Sequence, residues 1–436
     1  MSESLTTMRV YQGLIAGPIA LSLLYSISVQ CFLSGWHECS WTYHLSSISL
    51  RLTLVIVAIA ILFAMEEFSH DTFLLPAVVF PILAVTLMVR TRKIYITGPT
   101  SEKYIQTQAA KDKIVLITGA NTGIGKETAR QLFMAGATVI LSCRSEQRAR
   151  DAMEDILSSQ QHNSSNSTAT ETTQLRSKTM DKDRLLFLQC DVSDYDSVRN
   201  ASQELDKMLC KLDKSNDATA TPALDVLINN AGIMMGTRKE NKAGHELTMA
   251  CNHLGHFLLT NLLMPNLRAS KYGGRVVVVT SSTYTLADKG MDLDDLQCEK
   301  RSYTMFSQYA QSKLANILMG KELARRESET KNKGTEKPVK VYNVHPGLVR
   351  TDVVRNMPWY LKYPNMMFSL VLVTLQKAPP AGAYTNVFCA LDESLENQSG
   401  EYFSNSEAFA TNKFTHDEDT AKRLWTLSCN LVGLKE

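Results

Sequence analysis

A chain of 436 residues that is 44% hydrophobic and 21% charged, with 46 Lys+Arg against 44 Asp+Glu and a net charge of +2, has the composition of a globular protein. That balance excludes a strongly basic nucleic-acid binder, an acidic disordered chain and a collagen-like repeat. Nine cysteines, an odd number with no C-x-x-C pair, argue against a disulfide scaffold or zinc module and for thiols in a reducing compartment.

The length admits about three domains, but charge is spread unevenly. Residues 1–110 hold only six Lys/Arg and six Asp/Glu, and between 12 and 65 the sole charges are Glu38 and Arg51. Three apolar runs, 13–33, 52–65 and 73–89, carry this stretch. A hydrocarbon core of roughly 30 Å takes about 20 apolar residues as helix, so the first run fits and the third is at the short limit. The second spans only if it extends past Arg51. At least two transmembrane helices are expected within residues 1–93, and three are favoured. The cluster Arg90, Arg92 and Lys93 after the third run, against Glu66, Glu67 and Asp71 before it, places the chain beyond Val89 on the cytosolic side. Arg9 agrees with that side for two spans and opposes it for three. A cleaved signal peptide fits poorly, since the first run lacks a tight basic leader. No polar face at 3.6-residue spacing interrupts 73–89, as a buried soluble helix would require.

Residues 94–111 read as a polar linker. From Asp112 onward, short β-branched runs alternate with helix-length stretches, at 114–118, 138–141, 185–188, 226–228, 275–280 and 339–344. Strands apolar throughout and separated by helices mean a parallel sheet covered on both faces. The fold class is therefore α/β, a doubly wound parallel sheet of Rossmann type over 112–434, preceded by a helical transmembrane region. Two polar segments, 158–183 and 327–338, are read as solvated loop insertions. Glycosylation sequons at Asn163, Asn166, Asn200 and Asn397 are frequent by chance and carry nothing on a cytosolic domain.

Directly after the first strand comes Thr118-Gly119-Ala120-Asn121-Thr122-Gly123-Ile124-Gly125, with a helix expected over 126–135. Glycines there let the backbone approach a pyrophosphate, held by the helix's positive end and free N–H groups. The second strand runs into Arg144, where an acidic residue would bond the ribose of NAD. Arg144 can pair instead with a 2′-phosphate, so NADP is the preferred reading and NAD the alternative. Asp191 and Val192, after the third strand, sit where an adenine amino group could be met; Asp191 could equally cap the helix beginning near Tyr195.

Three further segments converge at the strand C-termini, where a doubly wound sheet places its ligand crevice. These are Asn229-Asn230-Ala231-Gly232, Thr280-Ser281-Ser282, and the helix carrying Tyr309 and Lys313. Four residues apart, Tyr309 and Lys313 share a helix face. A phenol is a poor base at neutral pH, and a neighbouring ammonium would pull its pKa toward the working range. A hydroxyl from Ser282 could then polarise a carbonyl while Tyr309 shuttles the proton. His253 and His256, without carboxylate or thiolate company, are read as packing, and no metal is assigned.

In combination, TGANTGIG (118–125), CDV (190–192), NNAG (229–232), YAQSK (309–313) and HPG (345–347) resemble the short-chain dehydrogenase/reductase superfamily over about 112–433. The runs 252–257 and 309–316 resemble its retinol dehydrogenase branch, and 228–235, 252–263 and 424–429 its polyprenol dehydrogenase type. The resemblance implies a catalytic tetrad of Asn252, Ser282, Tyr309 and Lys313, with Asn252 organising a proton relay through Lys313. Which of Ser281 and Ser282 points into the site stays open; Ser282 aligns with the second of the family's paired serines. Tyr309 and Lys313 would also contact the cofactor. So would Gly119, Asn121, Thr122, Gly123, Ile124, Gly125, Asn230, Ala231 and Gly232, and a nicotinamide loop of Pro346, Gly347, Val349 and Thr351. Relatives pair through helices flanking the sheet, so a homodimer is one arrangement this allows.

After HPG, the apolar run 366–375 is too short to span. It could line a greasy pocket, dip into the membrane interface or pack as core. With the anchor, it points to a lipophilic alcohol or carbonyl of the retinoid, steroid or polyprenoid class, met at the endoplasmic reticulum or another endomembrane. The competing reading is a membrane-tethered dinucleotide-binding scaffold or sensor, for which Tyr309 and Lys313 together would have no use.

Overall fold

The structure, a computed structural model, describes residues 99–164, 183–213, 221–332, 338–349 and 376–435. The expected transmembrane runs, Thr351 and the apolar run 366–375 lie outside the described residues. Among the described residues, no helix is long and apolar enough to cross a membrane.

Helix α1 (Glu102–Gln106) leads into β1 (Ile114–Thr118), α2 (Gly123–Met134), β2 (Thr138–Cys143), α3 (Glu146–Ser164), β3 (Leu185–Gln189) and α4 (Tyr195–Leu212). The second half runs β4 (Val226–Asn229), α5 (Leu247–Met249), a π-helical turn (Ala250–Leu254), α6 (Gly255–Arg268), β5 (Arg275–Val279), a 3-10 turn (Ser282–Leu286), α7 (Met305–Asn332) and β6 (Lys340–His345). It closes with α8 (Pro379–Leu391), β7 (Tyr402–Ser404), β8 (Glu407–Ala408) and α9 (Glu418–Val432). The strands form one sheet in the order β3-β2-β1-β4-β5-β6-β7-β8. All pairings are parallel except the last. The order reverses between β1 and β4, which opens the crevice at their C-terminal ends.

Strand residues alternate between two cores. Leu116, Leu227, Val276, Val278 and Val341 pack with Leu205, Phe257, Leu314 and Trp425 of α4, α6, α7 and α9. Val115, Ile117, Ile228, Val277 and Val344 pack with Leu132, Phe133, Ile156 and Val387 of α2, α3 and α8. Both faces being covered is why these strands read as unbroken apolar runs. Phe257 and Trp425 meet edge to face, centroids 4.8 Å apart, and pin α9 across α6.

The structure departs from several expectations. From Ser101 on, the supposed linker belongs to the domain. Tyr104 is buried with its hydroxyl on Asp392, Lys103 pairs with the same carboxylate at 2.8 Å, and Ser101 bonds Gln131 at 2.6 Å. The polar stretch beginning at 327 is in its first part helix, because Glu327 is buried against Arg268 and accepts the Val339 N–H. The helix after the glycine-rich loop starts at Gly123 rather than 126. Asp194, not Asp191, caps α4, accepting from the N–H groups of Asp196 and Ser197. β7 and β8 were not foreseen; Asn405 and Ser406, with φ of 53° and 61°, make their two-residue turn.

Candidate active site

The C-terminal ends of six parallel strands supply the site. At β1, Gly119 turns with φ of 66°, and a Cβ there would lie 2.9 Å from the Ala231 Cα. A Cβ on Gly125 would meet the Gly119 oxygen at 2.4 Å and Asn230 Nδ2 at 2.5 Å. The glycines therefore seat loop 119–125 directly on the 230–232 loop, and Asn230 Nδ2 locks the seat by donating to the Thr118 oxygen at 2.8 Å. Thr122 starts α2 in an extended conformation without a side-chain cap. The first-turn N–H groups of Gly123, Ile124 and Gly125 cannot be paired inside the helix and are the donor set that a pyrophosphate requires. Gly382 of α8 brings Val349 to the same place, since a Cβ there would touch Val349 Cγ2 at 2.7 Å and Ile124 Cγ1 at 3.3 Å. Arg144 is exposed at the end of β2, and Asp191 and the buried Val192 follow β3. Asp191 accepts from the Ser193 N–H at 3.0 Å and the Ser193 hydroxyl at 2.7 Å. A cradle of close-set glycines, helix-start donors and an exposed cation fits a dinucleotide.

Asn252 lies in the π-helical turn and is completely buried. Its Oδ1 accepts from the Ile233 N–H at 2.8 Å, and its Nδ2 donates to the Ile233 oxygen at 2.9 Å and to Ser312 Oγ at 3.0 Å. A Cβ on Gly232 would lie 3.5 Å from Asn252 Oδ1 and 3.7 Å from Lys313 Nζ, so both flank that glycine. Lys313 is 3% exposed and donates to the Val279 oxygen at 2.9 Å. Burial lowers its pKa to about 8. The ammonium lies 5.5 Å from the Tyr309 ring centroid.

Two points refine the sequence reading here. Ser281 favours the ionised form of the Tyr309 phenol, while its Oγ bonds Thr283 Oγ1 and accepts the Thr283 N–H at 3.3 Å; Ser282 makes its hydrogen bonds through the backbone. Its N–H points to His345 Nδ1 at 3.3 Å, and its carbonyl accepts from Thr285 Oγ1 at 2.9 Å. The ladder of β5 ends at Val279, and Ser281 in extended conformation caps the 3-10 turn that starts with Ser282. One residue of shift exchanges which hydroxyl faces the crevice. The second point concerns Tyr309. Although the residue is partly exposed, burial raises its pKa to about 12, with the Ser281 hydrogen bond acting the other way. In this geometry the Lys313 ammonium is directed at the Val279 carbonyl, so the expected lowering of the phenol is not realised.

Beyond β6, Pro346 is buried and Gly347 adopts φ of 89°. A Cβ on Gly347 would lie 2.7 Å from Lys377 Cε. Lys377 is itself buried, donates to Asn405 Oδ1 at 2.7 Å and pairs with Val349 in an isolated bridge. Sequence reading missed Lys377, which lies 30 residues from the loop that it supports. It also missed Glu246, completely buried, which accepts from the Thr248 and Met249 N–H groups and from Gln308 Nε2, next to Tyr309. The available signal was local, a carboxylate directly before the helical run that begins at Leu247, where it caps the first N–H groups. Among the described residues, no group of three potential metal ligands occurs.

A family model described as short chain dehydrogenase matches residues 113–291. Retinol dehydrogenase 11 of Homo sapiens is 34% identical over 361 residues, covering 81% of this chain and 98% of that protein. Retinol dehydrogenase 14 of Homo sapiens is 36% identical over 324 residues, covering 74% and 87%. Among solved structures, an uncharacterised protein from Mycobacterium paratuberculosis superposes with a TM-score of 0.54 at 26% identity, covering 78% of this chain and 98% of that one.

Proposed function

The chain belongs to the short-chain dehydrogenase/reductase family, in its retinol dehydrogenase-like branch, and is an NAD(P)-dependent oxidoreductase acting on CH–OH groups; on that premise we propose that it interconverts a lipophilic alcohol and its carbonyl with NADP(H), while anchored to a membrane by residues 1–93. The observation that carries the catalytic part is Lys313 and Asn252 flanking Gly232 beside the loop 119–125, with the Lys313 ammonium 5.5 Å from the Tyr309 ring centroid. The substrate class rests on two supports. The relatives named above are retinol dehydrogenases, and the apolar N-terminal runs would put the domain where retinoid, steroid or polyprenoid substrates partition. The Arg90–Lys93 cluster supports the cytosolic side for the domain, and the lipophilic substrate class supports an endomembrane.

The proposed roles are as follows. The nucleotide, when bound, supplies or accepts the hydride at its nicotinamide ring. Residues 119–125, 230–232 and 346–349 would hold it, with Arg144 on the adenosine side. Ser281 donates to the substrate oxygen, Tyr309 exchanges the proton at its hydroxyl, and Asn252 fixes the 232–233 loop against Lys313. Lys313, held by the Val279 carbonyl, keeps its ammonium beside the Tyr309 ring. With its pKa at about 12, Tyr309 is a neutral phenol at pH 7, the form that donates to a carbonyl oxygen. Alcohol oxidation needs the phenolate. The expected pH dependence is that kcat/KM for alcohol oxidation rises from pH 7 to pH 9 while that for carbonyl reduction does not. Steady-state rates in both directions check this, and an oxidation rate that falls over this range contradicts the assignment of the proton to Tyr309.

Cofactor choice is tested at Arg144. A charge-assisted contact to a phosphate is worth a factor of about 10 to 100 in affinity. Arg144→Asp should therefore raise the KM for NADPH by about that factor and lower that for NADH. Equal use of both nucleotides before and after the substitution would remove Arg144 from the cofactor site.

A further inference from the structure

His256, read from sequence as packing, has a more specific place. It projects from the first turn of α6 and is 1% exposed. Its Nδ1 lies 3.0 Å from the backbone oxygen of Asn252, and its Nε2 lies 2.8 Å from Thr118 Oγ1 at the end of β1. A carbonyl only accepts, so Nδ1 carries the proton and Nε2 must accept from the Thr118 hydroxyl. The other acceptor within reach of that hydroxyl, the Ile228 oxygen, is 3.4 Å away. Thr118 Oγ1 in turn accepts the N–H of Asn230 at 2.8 Å and of Ala231 at 2.9 Å. Each proton in this chain has one assignment, from the Asn252 carbonyl through the imidazole and the threonine hydroxyl to the loop on which Gly119 is seated. Burial first, then the Lys313 cation, lowers the ring's pKa to about 4, so the imidazole stays neutral.

We propose that His256 is a positioning residue that holds the Asn252 turn in register with the dinucleotide loop, through the single tautomer with the proton on Nδ1. The Asn252 side chain is already committed to Ile233 and Ser312. The backbone of the same residue is thereby tied by His256 to the opposite wall of the site. Seating of the nucleotide against 230–231 and placement of Asn252 are then energetically linked, and the linkage is reciprocal. This rests on the reading of Asn252 and loop 119–125 as the active site.

The test uses the full chain in detergent micelles with four variants: His256→Phe, His256→Gln, Thr118→Val and the Phe/Val double variant. Measured are kcat, the KM for carbonyl substrate, NADPH affinity by fluorescence quenching, and Tm. His256→Phe keeps the volume but loses both hydrogen bonds, and is expected to lower kcat and NADPH affinity by about tenfold each, with the substrate KM little changed. His256→Gln, whose amide has both a donor and an acceptor, should recover most of that loss. Thr118→Val, which also removes the acceptor of the Asn230 and Ala231 N–H groups, should be at least as impaired as His256→Phe, and the double variant should be no worse than Thr118→Val, the signature of one shared network. A packing role alone would move Tm without this kcat and affinity split. Parent-like kcat and affinity in His256→Phe, no recovery by Gln, or losses that multiply in the double variant would overturn the proposal. If His256→Phe does not fold, Thr118→Ser against Thr118→Val decides: Ser must be parent-like and Val impaired, and equal impairment overturns it. If the parent binds NADPH but turns over no substrate, the activity reading fails. The non-additivity in NADPH affinity still decides the role of His256.

Discussion

Tyr309→Phe is expected to lower kcat by about 10³-fold in both directions, the scale of losing a positioned acid/base. NADPH affinity should stay within about threefold, since only one hydroxyl is removed. The expectation rests on the Tyr309 hydroxyl, held neutral by burial, on a ring beside the Lys313 ammonium. Phe keeps the ring beside the Lys313 ammonium, so the packing of α7 is retained. Single-turnover kinetics with equilibrium nucleotide binding separates the two effects. A variant that loses NADPH binding and turnover together would make Tyr309 a cofactor-site residue and leave the proton without a carrier.

Ser281→Ala and Ser282→Ala should differ sharply. Removing one donor to a developing oxyanion costs about 10²-fold in kcat, and on the proposed assignment that loss belongs to Ser281. Ser282 makes its two hydrogen bonds with its N–H to His345 Nδ1 and with its carbonyl from Thr285, neither of which a change to Ala removes. Its kcat should stay within about threefold of the parent. The opposite ranking would mean that the 3-10 turn reorganises when substrate binds. Equal, small effects would remove the serine from catalysis.

How far the sequence could be read depends on whether a feature is written in neighbouring residues. β1 to β6 were legible because burial on both faces leaves an unbroken apolar run such as Val276 to Val279, and the glycine-rich loop because its constraint is local. β7 and β8, three and two residues long, are too short for any period to show. The anchoring of Tyr104 was invisible because its partner, Asp392, is 288 residues away. The end of the β5 ladder was equally hidden, since Thr280 extends the β-branched run by one residue beyond Val279. The pKa of Tyr309 could not be inferred from its spacing to Lys313, because the direction of the lysine is set by the Val279 carbonyl on another element.

On the proposed assignment, the crevice divides into a nucleotide half, from loop 119–125 to Arg144 and Asp191, and a proton-handling half of Ser281, Tyr309, Lys313 and Asn252. Thr118 and His256 lie at their junction. The most direct test of an oxidoreductase acting on lipophilic alcohols is turnover by the full chain in liposomes. NADPH would be supplied with all-trans-retinal, a steroid ketone or a polyprenyl aldehyde, and the alcohol product quantified. The prediction is NADPH consumption matched one-to-one by alcohol from at least one of the three. NADPH binding with no reduction of any of them, and no oxidation of the corresponding alcohols with NADP, would contradict it.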